Sequence, residues 1–143
     1  MLDNPAPHLR AYPVETVVAE KFEALITLGM ANSRLKDFYD LWLIAQTFEL
    51  RQSTLIEAVQ RTFDRRGTAL PLDTPVGLTD EFAAVWSAQW RTFLGRERMA
   101  AAPDALIVVI ADLRTFLMPL AARAFAEERV WPPGGPWSQK GVT

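Results

Sequence analysis

Apolar residues recur at helical spacing along most of the chain, and prolines clustered near the start, middle and end interrupt them. The first apolar stripe predicts a helix from about Val14 to Met30, beginning after Pro13. A second helix, capped by Ser33, is predicted from about Arg34 to Phe48, and a third follows a cap at Ser53 and reaches about Phe63. The link between the first two helices is short, so we expect them to pack side by side.

The second half of the chain predicts two further helices. Thr79 is suited to cap the fourth helix, which Gly95 is expected to interrupt. The fifth is expected from about Ala105 to Glu127, with Pro119 kinking or splitting it. No strand-like alternation is evident, so the predicted fold class is all-α, a compact bundle of about five or six helices.

The end of the chain has the composition of turns rather than of a helix. Proline and glycine are frequent after residue 130, so we expect a single helical domain over 1–130 and a loop or disordered tail over 131–143. Trp131 and Trp137 lie in that tail, and they either pack back onto the domain or bind a partner.

Composition narrows the possible chemistry. The chain has 143 residues, a net charge of −2, one histidine and no cysteine. The lack of cysteine excludes disulfides, thiolate zinc sites and a cysteine nucleophile. The longest apolar region carries Asp112, Arg114 and Arg123, which argues against a membrane span. We therefore expect a cytoplasmic protein that does not associate with a membrane.

Two polar features depart from simple amphipathic patterning. Lys21 lies within the apolar stripe of the first helix, so its charge must reach solvent, pair with a carboxylate or meet an anionic ligand. Lys36, Asp37 and Asp40 share one face at the start of the second helix. The simplest interpretation of this face is a set of local ion pairs. The same residue types could also hold a metal-bound phosphate.

These features fall within two motifs. The first is Glu20-Lys21-Phe22-Glu23-Ala24, and the second, about a dozen residues later, is Arg34-Leu35-Lys36-Asp37-Phe38-Tyr39-Asp40. In order and spacing they resemble the motifs of the AbiEii/AbiGii nucleotidyltransferase-like toxin family. The strong resemblance covers about residues 5–70, and the remainder is similar to that family's variable helical bundle.

The resemblance implies a role in Mg²⁺-dependent nucleotidyl transfer from a nucleoside triphosphate. It implies that Asp37 and Asp40 are catalytic and candidate Mg²⁺-side groups, and that Lys21 and Lys36 bind nucleotide phosphates. Glu20, which could orient Lys21, and Arg34 would have supporting roles. The implied setting is bacterial phage defence (abortive infection) or a toxin–antitoxin pair, with an antitoxin partner and an RNA acceptor.

The family's first segment, a Gly-Ser turn and paired aspartates on a strand, is not found before Tyr12. The chain is therefore expected to be a fragment or C-terminal half that needs a missing N-terminal catalytic half, and to be inactive alone. One alternative is a non-catalytic helical interaction module derived from the family. Another is an unrelated helical scaffold in which the polar cluster is only a salt-bridge network.

The arginines near the end of the third predicted helix have two interpretations. Arg61, Arg65 and Arg66 either contact RNA phosphates or form a solvated helix end.

We expect a phosphate, rather than a carboxylate, to compensate the charge of Lys21. In that case Lys21→Met should leave the stability of the fold unchanged or raise it, because an apolar side chain of similar length replaces a buried charge.

Overall fold

The computed structural model describes residues 13–31, 33–97, 99, 101–123 and 127–139. Within them the chain is mostly helical, which confirms the predicted fold class, although a small sheet is also present. The helices are α1 (Val14–Leu28), α2 (Leu35–Thr47), α3 (Gln52–Arg66), α4 (Asp80–Glu97) and α5 (Leu106–Ala122). The strands are β1 (Leu50–Arg51), β2 (Arg129–Trp131) and β3 (Ser138–Gln139).

The apolar faces of the five described helices meet in one core. Helix α1 packs most extensively on α3 and also contacts α2, as the short link between α1 and α2 predicts. The Phe22 and Phe63 rings join α1 to α3 with centroids 5.5 Å apart, and Phe38 stacks on Phe82 at 5.1 Å to join α2 to α4. Helix α5 is the most apolar element and contacts α2, α3 and α4. No helix in the described ranges is long and apolar enough to cross a membrane.

Several predicted helix boundaries need correction. Helix α4 continues through Gly95 to Glu97, because one internal glycine costs only about 1 kcal/mol and its neighbours Phe93 and Leu94 are buried. Helix α5 also continues through Pro119 as one element, so the predicted split does not occur. It ends at Ala122 rather than near Glu127, and residues 124–126 lie outside the described part of the chain.

The predicted caps agree with the structure in one case of three. The Thr79 hydroxyl accepts a hydrogen bond from the Phe82 backbone N–H at 3.1 Å, as a capping residue should. Ser33 makes no side-chain cap to α2. Ser53 lies inside α3, and its hydroxyl donates instead to Glu128 at 2.9 Å.

The tail is more ordered than the predicted loop. Strand β2 pairs antiparallel with β1, Leu50 opposite Trp131, and β3 pairs antiparallel with β2. The proline- and glycine-rich stretch between β2 and β3 therefore forms a connection within a sheet. Both tryptophans pack back onto the helices: Trp131 Nε1 donates to the Ala45 carbonyl and Trp137 Nε1 to that of Phe116. Residues 140–143 lie outside the described ranges.

Candidate functional site

The two lysines that sequence analysis singled out meet at one carboxylate. Lys21 lies two turns before the end of α1, and Asp37 and Asp40 lie in the first turns of α2. Lys21 Nζ is 3.2 Å and Lys36 Nζ 2.9 Å from the same Oδ2 of Asp40. The motifs are therefore brought together at one place by the packing of α1 against α2.

Asp37 is the buried centre of this cluster, with only 7% of its surface exposed. Its Oδ1 accepts a hydrogen bond from Lys21 Nζ at 2.8 Å, and its Oδ2 lies 2.9 Å from Nη2 of Arg34. Asp40 is more exposed and pairs with Lys36 one turn away on the same helix. Each carboxylate thus contacts two cationic groups, and the three cations and two carboxylates leave the cluster with a net charge of about +1.

The predicted site residues therefore divide into two groups. Lys21, Lys36, Asp37, Asp40 and Arg34 form one connected ion-pair cluster, which we call the lysine–aspartate cluster. Glu20 does not orient Lys21, because its carboxylate instead contacts Arg65 and Arg66 at the end of α3. The structure also gives Lys21 two carboxylate partners. The expected effect of Lys21→Met on stability is therefore a loss rather than no change or a gain.

The pKa of Lys21 is set by opposing influences. Partial burial acts to lower the pKa, while the hydrogen bond to Asp37 and the charges of Asp37 and Asp40 act to raise it. The net effect places the pKa of Lys21 above its ordinary value. The protonated lysine is therefore stabilised in the folded protein.

This shift predicts a loss of stability at alkaline pH. The contribution of Lys21 is fully present below the unfolded-state pKa, about 10.4, and is lost as the pH rises through the higher folded-state pKa. We expect the free energy of unfolding to fall more steeply for the wild type than for Lys21→Met above about pH 10. Urea denaturation of both proteins from about pH 9 to about pH 12 checks this. Parallel curves for the two proteins would contradict it.

Basic side chains line a groove beside Lys21. The groove has a volume of about 610 Å³, and the charged side chains that line it are Glu20, Lys21, Arg34, Arg65 and Arg66. Arg34 also lines a second groove, of about 730 Å³, which contains Lys36, Trp86 and Phe93. The lysine–aspartate cluster therefore lies between two surface grooves.

Arg65 and Arg66, which the sequence offered as candidate RNA-phosphate contacts, lie beside Lys21 in this groove, a position that the sequence did not predict. Arg65 contacts Glu20 Oε2, Arg66 Nη2 lies 2.8 Å from Glu20 Oε1, and Arg66 Nε lies 3.7 Å from Glu23 Oε1. The only signal in the sequence was the pair of arginines before Gly67, which ends α3 with a positive φ of 69°. The solvated-helix-end interpretation is incomplete, since both arginines pair with acids of α1.

The described residues bring few side chains together that are suited to holding a metal ion. Among them there is no group of three or more histidine, aspartate or glutamate side chains placed to hold a metal ion. Both Asp37 and Asp40 are compensated by lysine, and Asp37 also by arginine. Their direct contact with Mg²⁺ stays a prediction from the resemblance.

The chain matches the model of a known protein family. The model of the family described as nucleotidyl transferase AbiEii toxin, type IV toxin–antitoxin system, matches residues 1–118. The match extends well beyond the strongly similar part expected from the motifs and includes most of α5. No curated protein and no solved structure gives a significant match. Since the matched region covers most of the chain, this protein belongs to the AbiEii nucleotidyl transferase toxin family.

Proposed function

We propose that this chain contributes nucleotide-phosphate-facing residues to a Mg²⁺-dependent nucleotidyl transfer site of a phage-defence or toxin–antitoxin toxin. The observation that carries the proposal is the meeting of Lys21 and Lys36 at Asp40 Oδ2, beside grooves lined with further cations. Family membership supplies the reaction class, nucleotidyl transfer. A nucleoside triphosphate is the substrate that this class requires.

In this proposal the residues have distinct tasks. Lys21 and Lys36 bind phosphate oxygens, since an ammonium group offers up to three donors and a full positive charge. Asp37 and Asp40 hold the two ammonium groups in place before the nucleotide arrives, and Arg34 holds Asp37. Pre-positioning of this kind reduces the entropy lost on binding.

Mg²⁺ would neutralise phosphate charge and activate the transferred group during the reaction. Its main ligands would come from a catalytic half that is not among the described helices. We also propose an antitoxin as the protein partner and RNA as the acceptor. The family description, which names a toxin–antitoxin system, supports the antitoxin.

Nucleotide binding by Lys36→Gln tests the proposal without disturbing the core, because 61% of the Lys36 side chain is exposed. We expect the variant to bind a labelled nucleoside triphosphate with Mg²⁺ about fivefold more weakly than the wild type, through loss of one charge-assisted contact. Arg91→Gln, which removes an exposed charge from α4, is the matched control and should bind like the wild type. Equal affinities for Lys36→Gln and Arg91→Gln would refute the assignment of Lys36.

The isolated chain is expected to incorporate no labelled nucleotide into RNA. Nucleotidyl transfer needs Mg²⁺ held by several carboxylates, and Asp37 and Asp40 already compensate cationic side chains. Incorporation by the pure 143-residue protein would show that it holds a complete active site. Tight nucleotide binding without transfer would support a half-site, and neither binding nor transfer would favour the interaction-module alternative.

A further inference from the structure

Glu20 holds two arginines at the surface of the groove beside Lys21. Its Oε2 contacts Arg65, and its Oε1 lies 2.8 Å from Nη2 of Arg66. Among the described residues that line this groove, Glu20 is the only acid, whereas four cationic side chains line it. Both oxygens of the single acid are thus used in contacts with α3.

The two guanidinium groups remain accessible to a ligand. About half of each side chain is exposed, 57% for Arg65 and 51% for Arg66. A guanidinium carries five N–H donors, and one carboxylate shared between two guanidinium groups leaves most of them available. An anion that entered the groove would therefore find unused donors on both arginines.

Arg66 also has a second anchor that does not depend on Glu20. Its Nε lies 3.7 Å from Oε1 of Glu23, a glutamate that is only 4% exposed. The hydroxyls of Thr27 and Thr68 donate to Glu23 Oε2 at 2.8 and 2.7 Å, which fixes this carboxylate in place. Displacement of Glu20 would thus leave Arg66 in the groove.

We propose that Arg65 and Arg66 form an anion-binding site for polyphosphate, and that Glu20 is a counter-ion which the ligand displaces. A polyphosphate carries several charges and can accept paired hydrogen bonds from both arginines, whereas Glu20 carries one charge. The nearby charges of Lys21 and Arg34 favour the same ligand. The identification of this ligand as the nucleotide's triphosphate rests on the proposed function; the anion site itself does not.

The distinctive consequence is that removing one acidic charge should strengthen binding. Glu20→Gln keeps the shape of the side chain but releases both arginines from an ion pair. We expect it to bind inorganic triphosphate, without metal, about fivefold more tightly than the wild type. The double variant Arg65→Gln/Arg66→Gln should bind about tenfold more weakly, because two charge-assisted contacts are lost.

Isothermal titration calorimetry at low and moderate salt measures these affinities. Arg61→Gln is the matched control, since Arg61 lies on the same helix and is exposed but does not line this groove. It should differ from the wild type by less than about twofold, as expected for a screened, more distant charge. Thermal denaturation of each variant verifies that it is folded under the titration conditions.

Three outcomes would overturn the inference. They are an unchanged or weaker affinity of Glu20→Gln for triphosphate, an unchanged affinity of the double arginine variant, and a loss for Arg61→Gln equal to that of the double variant. The lysine assignment is tested separately by Lys36→Gln, because Lys36 does not line this groove. Unchanged nucleotide binding by Lys36→Gln with altered triphosphate binding by the Glu20 and arginine variants would refute the proposed function and retain the anion site.

Discussion

Replacing Lys21 with methionine should lower the free energy of unfolding by about 2 kcal/mol, a value between those for exposed and for buried ion pairs. Methionine matches the lysine stem in length but cannot donate to Asp37, which is 7% exposed, or share Asp40. The buried carboxylate would then depend on Arg34 alone within the lysine–aspartate cluster. Denaturant midpoints at neutral pH, with the slope checked for each protein, give the difference.

The matched control for this prediction is Lys36→Met. Lys36 contacts the same Asp40 oxygen, but 61% of its side chain is exposed, so its removal should cost less than about 0.5 kcal/mol. A Lys21→Met protein as stable as the wild type would show that Arg34 alone can compensate Asp37. In that case the lysine would be retained for a ligand rather than for the fold, as the sequence alone led us to expect.

The cluster illustrates how structural and functional roles can coincide. Lys21 interrupts an apolar stripe, which indicates a constraint beyond packing, and its carboxylate partners remove the penalty of an unpaired charge. Ion pairs among the same side chains hold the ammonium groups where phosphate oxygens would bind. Family membership excludes the unrelated-scaffold interpretation, and the interaction-module alternative is left to the binding experiment.

Local patterns predicted the first three helices and the packing of the first two well. Apolar spacing placed α1, α2 and α3 within a few residues of their observed bounds, and the short link predicted that α1 and α2 lie side by side. Both kinds of information are local, since helix periodicity and short connections depend on neighbouring residues.

Long-range contacts were beyond the reach of these patterns. Glu20 and Arg65 are separated by 45 positions in sequence, so nothing in the local motif could identify them as partners. The same limit applies to the tail, where turn-forming residues predicted a loop or disorder and gave no indication that β2 pairs with β1. Strand pairing of this kind depends on the surface that the packed helices present to the strands.

A second large loss of stability is expected from a substitution in the tail, because Trp131 is packed into the helical core. Its side chain is 3% exposed, and Nε1 donates to the Ala45 carbonyl at 2.8 Å. The ring lies 4.8 Å from that of Phe116 and 5.5 Å from that of Trp137, between centroids. Trp131 thus joins the end of the chain to both α2 and α5.

Trp131→Ala should therefore cost about 3–5 kcal/mol, the range for removal of a buried aromatic side chain. Trp131→Phe is the graded control: it keeps a ring against Phe116 but loses the hydrogen bond to Ala45, so about 1–2 kcal/mol is expected. Chemical denaturation of the three proteins measures both steps. Losses below about 1 kcal/mol for Trp131→Ala would mean that the tail does not stabilise the fold.

Alanine variants of two glycines between β2 and β3 also test how closely the Trp131 ring packs against the backbone of this connection. Gly134 and Gly135 both have positive φ, 86° and 70°, so alanine carries a backbone cost at either position. A Cβ on Gly135 would lie 2.4 Å from atoms of the Trp131 ring, whereas one on Gly134 would come no closer than 3.5 Å to the Gln46 amide oxygen. Gly135→Ala should therefore be less stable than Gly134→Ala by about 1–3 kcal/mol, the usual cost of overpacking. Equal losses would place the ring away from Gly135 and contradict the packing of Trp131 against this turn.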